Sequence, residues 1–227
     1  MEGKIWNFVK RIVTAMILLP VVLVINYVGG IVFDLFLLVI LGLSAFEVVN
    51  IVNKAKQMSL SERLLWIILV LIYICCSLLS LKYIRSLGTE GDIFIVYLLV
   101  WIWAFDSAAY FAGTTIGGPK LLPKISPKKT WSGLIGGICA ILLLSLLGAK
   151  LVKESHIQYP ILVLTLIGVL VGLVGQIGDL MESYFKRKFS VKDSGSILPG
   201  HGGVLDRLDS LFLGAIFFSL ILSFSVR

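Results

Sequence analysis

Acidic side chains interrupt the apolar runs of this 227-residue chain. Placing an ionised side chain inside an apolar membrane helix costs a few kcal/mol or more, so each such residue needs a partner or a role. Six acids lie within apolar stretches, with Glu182 close behind them: Asp34, Glu47, Asp106, Asp179, Asp206 and Asp209. A set of this size predicts a functional site inside the apolar region.

The spacing of these acids indicates that several face one another. One helical stripe has members spaced by three, four and three residues: Gln176, Asp179, Ser183 and Lys186. Asp206 and Asp209 share a face by the i, i+3 rule, and Asp106 is one helical turn from Tyr110. We expect these carboxylates to converge near one depth of the membrane.

Clustered carboxylates without nearby His or Cys favour a hard cation. Mg²⁺ and Mn²⁺ take oxygen ligands and keep several waters or substrate phosphates in their shell. Lysines in the neighbouring loops would suit the phosphates themselves. The pattern therefore predicts a site for a divalent cation and phosphate groups.

Two glycine-containing loops precede apolar runs. In Gly200-His201-Gly202-Gly203, a glycine turn at a helix start would expose backbone N–H groups that hold anionic oxygens. His201 is either a general base or a residue that orients a phosphate or the loop. The other loop, GGPKLLPKISPKKTWSG, is stiffened by three prolines that exclude a continuous helix. It presents two charges and two hydroxyls: Ser126, Lys128, Lys129 and Thr130. A solvated basic loop is the alternative interpretation.

The elements that must position these residues are apolar helices. The chain is 58% hydrophobic and 15% charged, with a strongly positive mean hydropathy, and several runs approach the length that crosses a bilayer. We predict an all-α polytopic integral membrane protein with about seven transmembrane helices, within a range of six to nine. The predicted spans are 12–28, 31–52, 64–80, 93–112, 134–152, 159–180 and 204–225.

Lys and Arg set the predicted topology. If the N-terminus lies inside, most of the 20 basic residues fall in inside segments. This distribution agrees with the enrichment of Lys and Arg in cytoplasmic loops. Loops 113–133 and 181–203 then lie on the cytoplasmic side, where a polar catalytic cavity would open. The formal charge of +7 does not indicate nucleic-acid binding, because the basic residues lie in short loops beside spans and no recognition module is present.

We predict one membrane domain over residues 1–227. Residues 1–92 would supply N-terminal helices for scaffolding and dimerisation. Residues 93–227 would supply the catalytic helices and loops 113–133 and 181–203.

The segment SYFKRKFSVKDSGSILPGHGGVLDRLD, from Ser183 to Asp209, resembles the signature of the phosphatidate cytidylyltransferases, also called CDP-diacylglycerol synthases. The matching positions are Ser183, Lys186-Arg187, Lys192-Asp193, Gly195, Pro199, His201-Gly202-Gly203, Asp206-Arg207 and Asp209. Two further segments are similar to the family: Asp106 to Gly133, with Ile125-Ser126-Pro127-Lys128-Lys129-Thr130, and Gln176-Ile-Gly-Asp179-Leu-x-Glu182. The resemblance is sharpest after Asp106.

The resemblance implies that CTP reacts with phosphatidic acid to give CDP-diacylglycerol and pyrophosphate, as a step of phospholipid biosynthesis that requires one or two Mg²⁺ ions. It also implies a homodimer among membrane lipids in the bacterial inner membrane, with the active site on the cytoplasmic side. Metal-site residues of the family correspond to Asp179 and Asp206.

Together, motif and resemblance give three sets of candidate residues. The catalytic set is Asp179, Asp206, Asp209, Lys192, Asp193 and His201. The phosphate-binding set is Ser126, Lys128, Lys129, Thr130, Lys186, Arg187, Gly202, Gly203 and Arg207. The metal ligands are Asp179, Asp206 and Asp209.

Other functions remain open at this point. A cation transporter would place its carboxylates near the bilayer midplane, often in related halves of the chain, whereas these acids crowd one side next to lysines. A CTP-dependent enzyme acting on another lipid phosphate, such as a CDP-archaeol synthase-like protein, differs only in chain preference. The full signature disfavours a polyprenol kinase.

Overall fold

A computed structural model describes residues 2–55, 57–154, 159–197 and 202–225. Within these ranges the chain folds into seven α-helices and one two-stranded sheet. The helices are α1 (Glu2–Val28), α2 (Gly30–Asn53), α3 (Leu60–Arg85), α4 (Gly91–Thr115), α5 (Trp131–Glu154), α6 (Ile161–Lys188) and α7 (Leu205–Ser225). The predicted all-helical architecture is therefore confirmed, and each predicted span falls on one helix apart from a residue or two at its ends.

Six of these helices, α2 to α7, are long and apolar enough to cross a membrane. In the described part of α1 the apolar stretch, Met16–Val28, is shorter than the other six. The chain is thus a polytopic membrane protein by the length and composition of its helices. The seventh span in α1 stays a prediction.

A two-residue glycine turn joins α1 to α2. Gly29 and Gly30 both have positive φ, which glycine adopts without steric cost. The guanidinium of Arg85, at the end of α3, donates to the carbonyl oxygen of Asn26 at 2.8 Å. A Cβ added at Gly29 would lie 2.3 Å from that guanidinium. Glycine therefore lets α3 cap the last turn of α1 at this end of the bundle.

Glycines bring α4, α5 and α6 together around one aromatic ring. Phe105 of α4 is fully buried. A Cβ added at Gly137 of α5 or at Gly172 of α6 would lie 2.6 Å or 2.2 Å from the Phe105 ring. Small residues at helix interfaces allow close backbone approach where lipid supplies no hydrophobic driving force. This contact fixes α4 between the two neighbouring helices.

Glycines also allow close backbone approach at the α6–α7 interface, beside the acidic residues. A Cβ added at Gly178 would lie 2.5 Å from the carbonyl oxygen of Asp209. At Gly175 it would lie 2.7 Å from Ile102 and 3.2 Å from the Ser210 carbonyl oxygen. Because Gly178 directly precedes Asp179, this close approach brings the Asp179 turn of α6 next to the Asp209 turn of α7.

The proline-containing loop between α4 and α5 forms a β-hairpin. Strand β1 (Lys120–Leu122) pairs antiparallel with β2 (Ser126–Thr130), with Lys120 opposite Thr130 and Leu122 opposite Ser126. The prediction that this loop is not helical is confirmed. The strands themselves were not predicted. The hairpin closes over one end of the helices.

Both predicted functional loops lie at the same end of the bundle. Lys129 of the hairpin reaches Asp179 of α6, and α6 runs from there into the segment that leads to α7. The start of α3 lies at this end too, because Trp66 packs against Phe185 and Phe189 at the end of α6. The shared location follows the predicted alternation of the helices.

Candidate active site

A cavity of about 740 Å³ lies between the hairpin and α4, α5, α6 and α7. This volume falls within the range of small-molecule pockets, roughly 300–1,000 Å³. Four acids and three lysines are among its lining residues: Asp106, Asp179, Asp206, Asp209, Lys120, Lys128 and Lys129. The convergence of carboxylates expected from helical spacing is therefore observed, with the hairpin lysines beside them.

The hairpin meets α6 through an ion pair. The ammonium of Lys129 lies 2.7 Å from Asp179 Oδ2 and donates to the Gln176 carbonyl oxygen at 3.2 Å. Ser183 donates to Asp179 Oδ1 at 3.3 Å from the next turn of α6. Both charges of the pair are largely shielded, with 14% and 27% of their side chains exposed. A phosphate entering the cavity could pair with the Lys129 ammonium, and a cation could pair with the Asp179 carboxylate.

Asp106 and Asp209 complete the acidic wall. Asp106 of α4 accepts a hydrogen bond from the Gln176 side-chain amide of α6 at 2.8 Å. Asp209 of α7 accepts one from the backbone N–H of Ser210 at 2.7 Å. Both carboxylates are partly buried, and partial removal from water strengthens any interaction with a cation or a polar ligand.

Asp206 is the most extensively bonded acid of the cavity wall. Lys186 donates to its Oδ1 at 2.6 Å, and Lys186 also lies 2.9 Å from Glu182. Oδ2 accepts from the backbone N–H groups of Ser194 and Gly203 and from the Ser194 hydroxyl, at 2.9 to 3.0 Å. Asp206 thus binds α6 and the segment before α7 while still lining the cavity.

Thr130 ends the hairpin and starts α5. Its buried hydroxyl accepts from the backbone N–H of Gly133 at 3.1 Å, the geometry of a helix N-cap. Ser132 at the same helix start donates to the carbonyl oxygen of Gly117. These bonds fix the hairpin on α5. Ser126, Lys128 and Lys129 are thereby held along one side of the cavity.

The structure places the other predicted site residues outside the cavity lining. Lys192 and Asp193 are exposed on the segment between α6 and α7. Arg187 donates to the Val191 carbonyl oxygen at 3.3 Å, and Arg207 has an exposed side chain on the first turn of α7. Lys186 lies behind Asp206, and Gly202 and Gly203 lie beside it. His201 lies outside the described residues.

Sequence reasoning missed two contributors to this site. Lys120 lines the cavity because hairpin pairing places it opposite Thr130. The signal was present as two short stretches, KLL and SPKKT, around a proline-containing turn. Ser194 connects to Asp206 through both its backbone N–H and its hydroxyl. It lies inside the quoted signature, but nothing in its spacing distinguishes it from neighbouring serines.

The lining suits a magnesium ion by its donor chemistry. It contains four carboxylates and neither His nor Cys. Across the described ranges no three Asp, Glu, His or Cys residues are grouped to hold an ion by themselves. Magnesium usually takes one or two carboxylates and completes its shell with water and substrate phosphates, so a three-acid cage is not required.

The fold and cavity define a polytopic membrane protein with an oxygen-rich, lysine-bordered cavity at one end of its helices. Residues 54–225 match the model of the Cytidylyltransferase family. A phosphatidate cytidylyltransferase of Brucella suis is 38% identical, with 92% of this chain and 91% of that protein covered. The phosphatidate cytidylyltransferase of Rickettsia bellii is 36% identical, with 92% of this chain and 88% of that protein covered. That of Bacillus subtilis is 48% identical, with 63% of this chain and 52% of that protein covered.

The chain therefore belongs to the cytidylyltransferase family. The match covers most of the chain, including α3 to α7 and the hairpin. The resemblance drawn from the Ser183–Asp209 signature is confirmed.

Removing the ammonium of Lys186 should destabilise the fold. The substitution Lys186→Met leaves Asp206 and Glu182 without their shared cation in a site where all three side chains are about 10% exposed. Breaking such a buried pair from one side costs about 3–5 kcal/mol. We expect a clear drop in the melting temperature of the detergent-solubilised protein.

Lys82→Met is the matched control. Lys82 pairs with Asp34 at 2.8 Å, but these side chains are 55% and 34% exposed, so the loss should stay within about 1 kcal/mol. Equal melting temperatures for the two variants would contradict the structural role of Lys186.

Proposed function

We propose that this chain transfers the cytidylyl group of CTP to phosphatidic acid, giving CDP-diacylglycerol and pyrophosphate. The supporting observation is the cavity in which the hairpin lysines face the acids of α4, α6 and α7. Relatives that cover about nine-tenths of both chains are phosphatidate cytidylyltransferases. The substrates of those relatives match the charges of this cavity.

The reaction brings two polyanions together. A phosphate oxygen of phosphatidic acid, already anionic at neutral pH, forms a bond to the α-phosphorus of CTP. The bond from that phosphorus to the oxygen bridging the β-phosphate breaks, and pyrophosphate leaves with the electron pair. No strong general base is needed, so catalysis depends on positioning and charge neutralisation.

Two walls of the cavity supply the positioning: an acidic wall on α4, α6 and α7, and a basic wall on the hairpin. On the hairpin wall, Lys128 and Lys129 would bind phosphate oxygens, and Ser126 lies beside them. Lys129 is held by Asp179 and the Gln176 carbonyl oxygen, which fixes its ammonium against α6 in the cavity lining. A lysine ordered before the substrate arrives loses less side-chain entropy on binding.

Magnesium is part of the proposal. Asp179 and Asp209, with Asp206, would hold the ion, which when bound neutralises phosphate charge and stabilises departing pyrophosphate. Asp206 already accepts hydrogen bonds from Lys186 and from the backbone N–H groups of Ser194 and Gly203. Its carboxylate therefore also holds the start of α7 in place.

The cavity would open to the cytoplasm of a bacterial inner membrane. The support for this orientation is that this end of the bundle carries the hairpin lysines and the basic segment after α6, and basic residues are enriched in cytoplasmic loops. CTP would enter from water and phosphatidic acid from the adjoining lipid leaflet. A homodimer among membrane lipids completes the proposal.

Substitutions in the two walls should abolish activity. Asp179→Asn and Asp206→Asn preserve side-chain size but remove a negative charge from the cavity, and Lys129→Gln removes the cation that pairs with Asp179. We expect each to lower CTP-dependent formation of CDP-diacylglycerol by about a hundredfold or more. Radiolabelled CTP with phosphatidic acid in mixed micelles measures this directly.

Lys124→Gln is the matched control for Lys129→Gln. Lys124 is an exposed lysine in the turn of the same hairpin and does not line the cavity, so its substitution should leave activity close to normal. Near-normal activity in both Asp variants would refute the assignment of these acids.

Cysteine labelling tests the proposed orientation. In a variant lacking Cys75, Cys76 and Cys139, a single cysteine replaces either Lys124 at the cavity end or Ser86 at the opposite end, both exposed positions. In intact bacterial spheroplasts, a membrane-impermeant maleimide should label Ser86→Cys at once and Lys124→Cys only after permeabilisation. The reverse pattern would place the cavity on the outer side.

A further inference from the structure

Glu47 is a buried acid whose role nothing in its local sequence indicates. It lies on α2 with 1% of its surface exposed. It does not line the cavity, and it precedes residue 54, where the family match begins. A carboxylate at such a position needs compensating donors.

The donors of Glu47 come from the start of α7 and the segment before it. Oε1 accepts from the backbone N–H of Val204 at 2.9 Å, and Oε2 accepts from that of Leu205 at 3.0 Å. The first N–H groups of a helix have no partner within the helix, and a negative charge there is favourable. Glu47 thus caps α7 from a helix more than 150 residues earlier in the chain.

Two glycines leave room for the Glu47 carboxylate. A Cβ added at Gly195 would lie 2.7 Å from Glu47 Oε1, and one added at Gly203 would lie 2.6 Å from both carboxylate oxygens. The chain therefore wraps closely around this carboxylate on both sides of residues 198–201. The two glycines explain why the segment can approach α2 at all.

Ser194 connects Glu47 to the cavity wall. Its hydroxyl lies 2.9 Å from Glu47 Oε2 and 3.0 Å from Asp206 Oδ2. A hydroxyl has one proton, so it donates to one carboxylate at a time. The Ser194 N–H donates to Asp206 as well, at 2.9 Å. Glu47 and Asp206 therefore hold the same segment from opposite sides.

From these contacts we propose that Glu47 is a positioning residue of the active site. It fixes Ser194 and the first turn of α7, and through them it holds Asp206 against the cavity. The inference rests on the proposed function for its catalytic consequence, while the contact itself can be tested without any substrate.

Hydrogen–deuterium exchange of the detergent-solubilised protein tests the contact. Glu47→Gln keeps the size of the side chain but replaces one acceptor with an N–H₂ group that faces backbone donors. Exchange in a peptide covering residues 202–207 should accelerate by about tenfold or more, because buried N–H groups lose their partner. Unchanged exchange would overturn the proposal.

Ser44→Ala is the control for the exchange measurement. Ser44 is fully buried one turn earlier on α2, and its hydroxyl has no hydrogen-bond partner among the described residues. Its substitution should leave exchange over residues 202–207 unchanged.

Steady-state kinetics test the consequence for the reaction. Glu47→Gln should lower kcat by about tenfold or more, as loss of a supporting residue commonly does. The KM for CTP should change by less than about threefold, because the hairpin lysines that would bind its phosphates do not contact Glu47. Glu47→Asp keeps both acceptor oxygens and should recover part of kcat.

Val48→Ala separates positioning from general destabilisation. Val48 is fully buried next to Glu47 and packs in the apolar core. If Val48→Ala lowers the melting temperature as much as Glu47→Gln does and loses the same kcat with the same KM, Glu47 has only a structural role and the proposal fails. Ser194→Ala, which removes only the bridging hydroxyl, should show a smaller loss of kcat and serves if Glu47→Gln does not fold.

The exchange and kinetic measurements together distinguish a failure of this inference from a failure of the proposed function. Faster exchange together with an unchanged kcat would refute the positioning role. A wild-type protein that forms no CDP-diacylglycerol would refute the proposed function, and the exchange result would still decide whether Glu47 holds the segment.

Discussion

The pairing of buried charge across helices is the constraint on which this structure depends. A lone carboxylate in an apolar bundle is costly, so each acid near the cavity lies beside a donor, most of them on a different element. Lys186 of α6 serves Asp206 of α7, and Lys129 of the hairpin serves Asp179 of α6. The charged side chains that would bind substrate therefore also determine which helix ends pack together.

Close backbone packing makes those pairings possible. Gly178 allows α6 to approach the Asp209 turn of α7, while Gly137 and Gly172 surround Phe105 of α4. The acidic wall is thus built on helices, whereas the basic wall is carried by a hairpin fixed to α5 by Thr130. The charges of an acidic wall on the helices and a basic wall on the hairpin would suit both a cation and a polyphosphate.

Much of this arrangement follows from the sequence because it depends on local periodicity. Apolar runs gave the helices, and the spacing of Asp206 and Asp209 predicted a shared face. The hairpin was missed because β1 has only three residues, too few for a two-residue period to stand out in the sequence. The contacts of Glu47 were missed because its partner Ser194 is 147 positions away, and only the packing of α2 brings them together.

An experimental structure of the protein with CTP and Mg²⁺ bound would test the proposed site most directly. We expect the triphosphate to lie between the hairpin and α6, with oxygens about 3 Å from the ammonium of Lys128 or Lys129. We also expect the ion to lie on the acidic wall that contains Asp179. A triphosphate bound at the opposite end of the bundle, near Arg85, would contradict it.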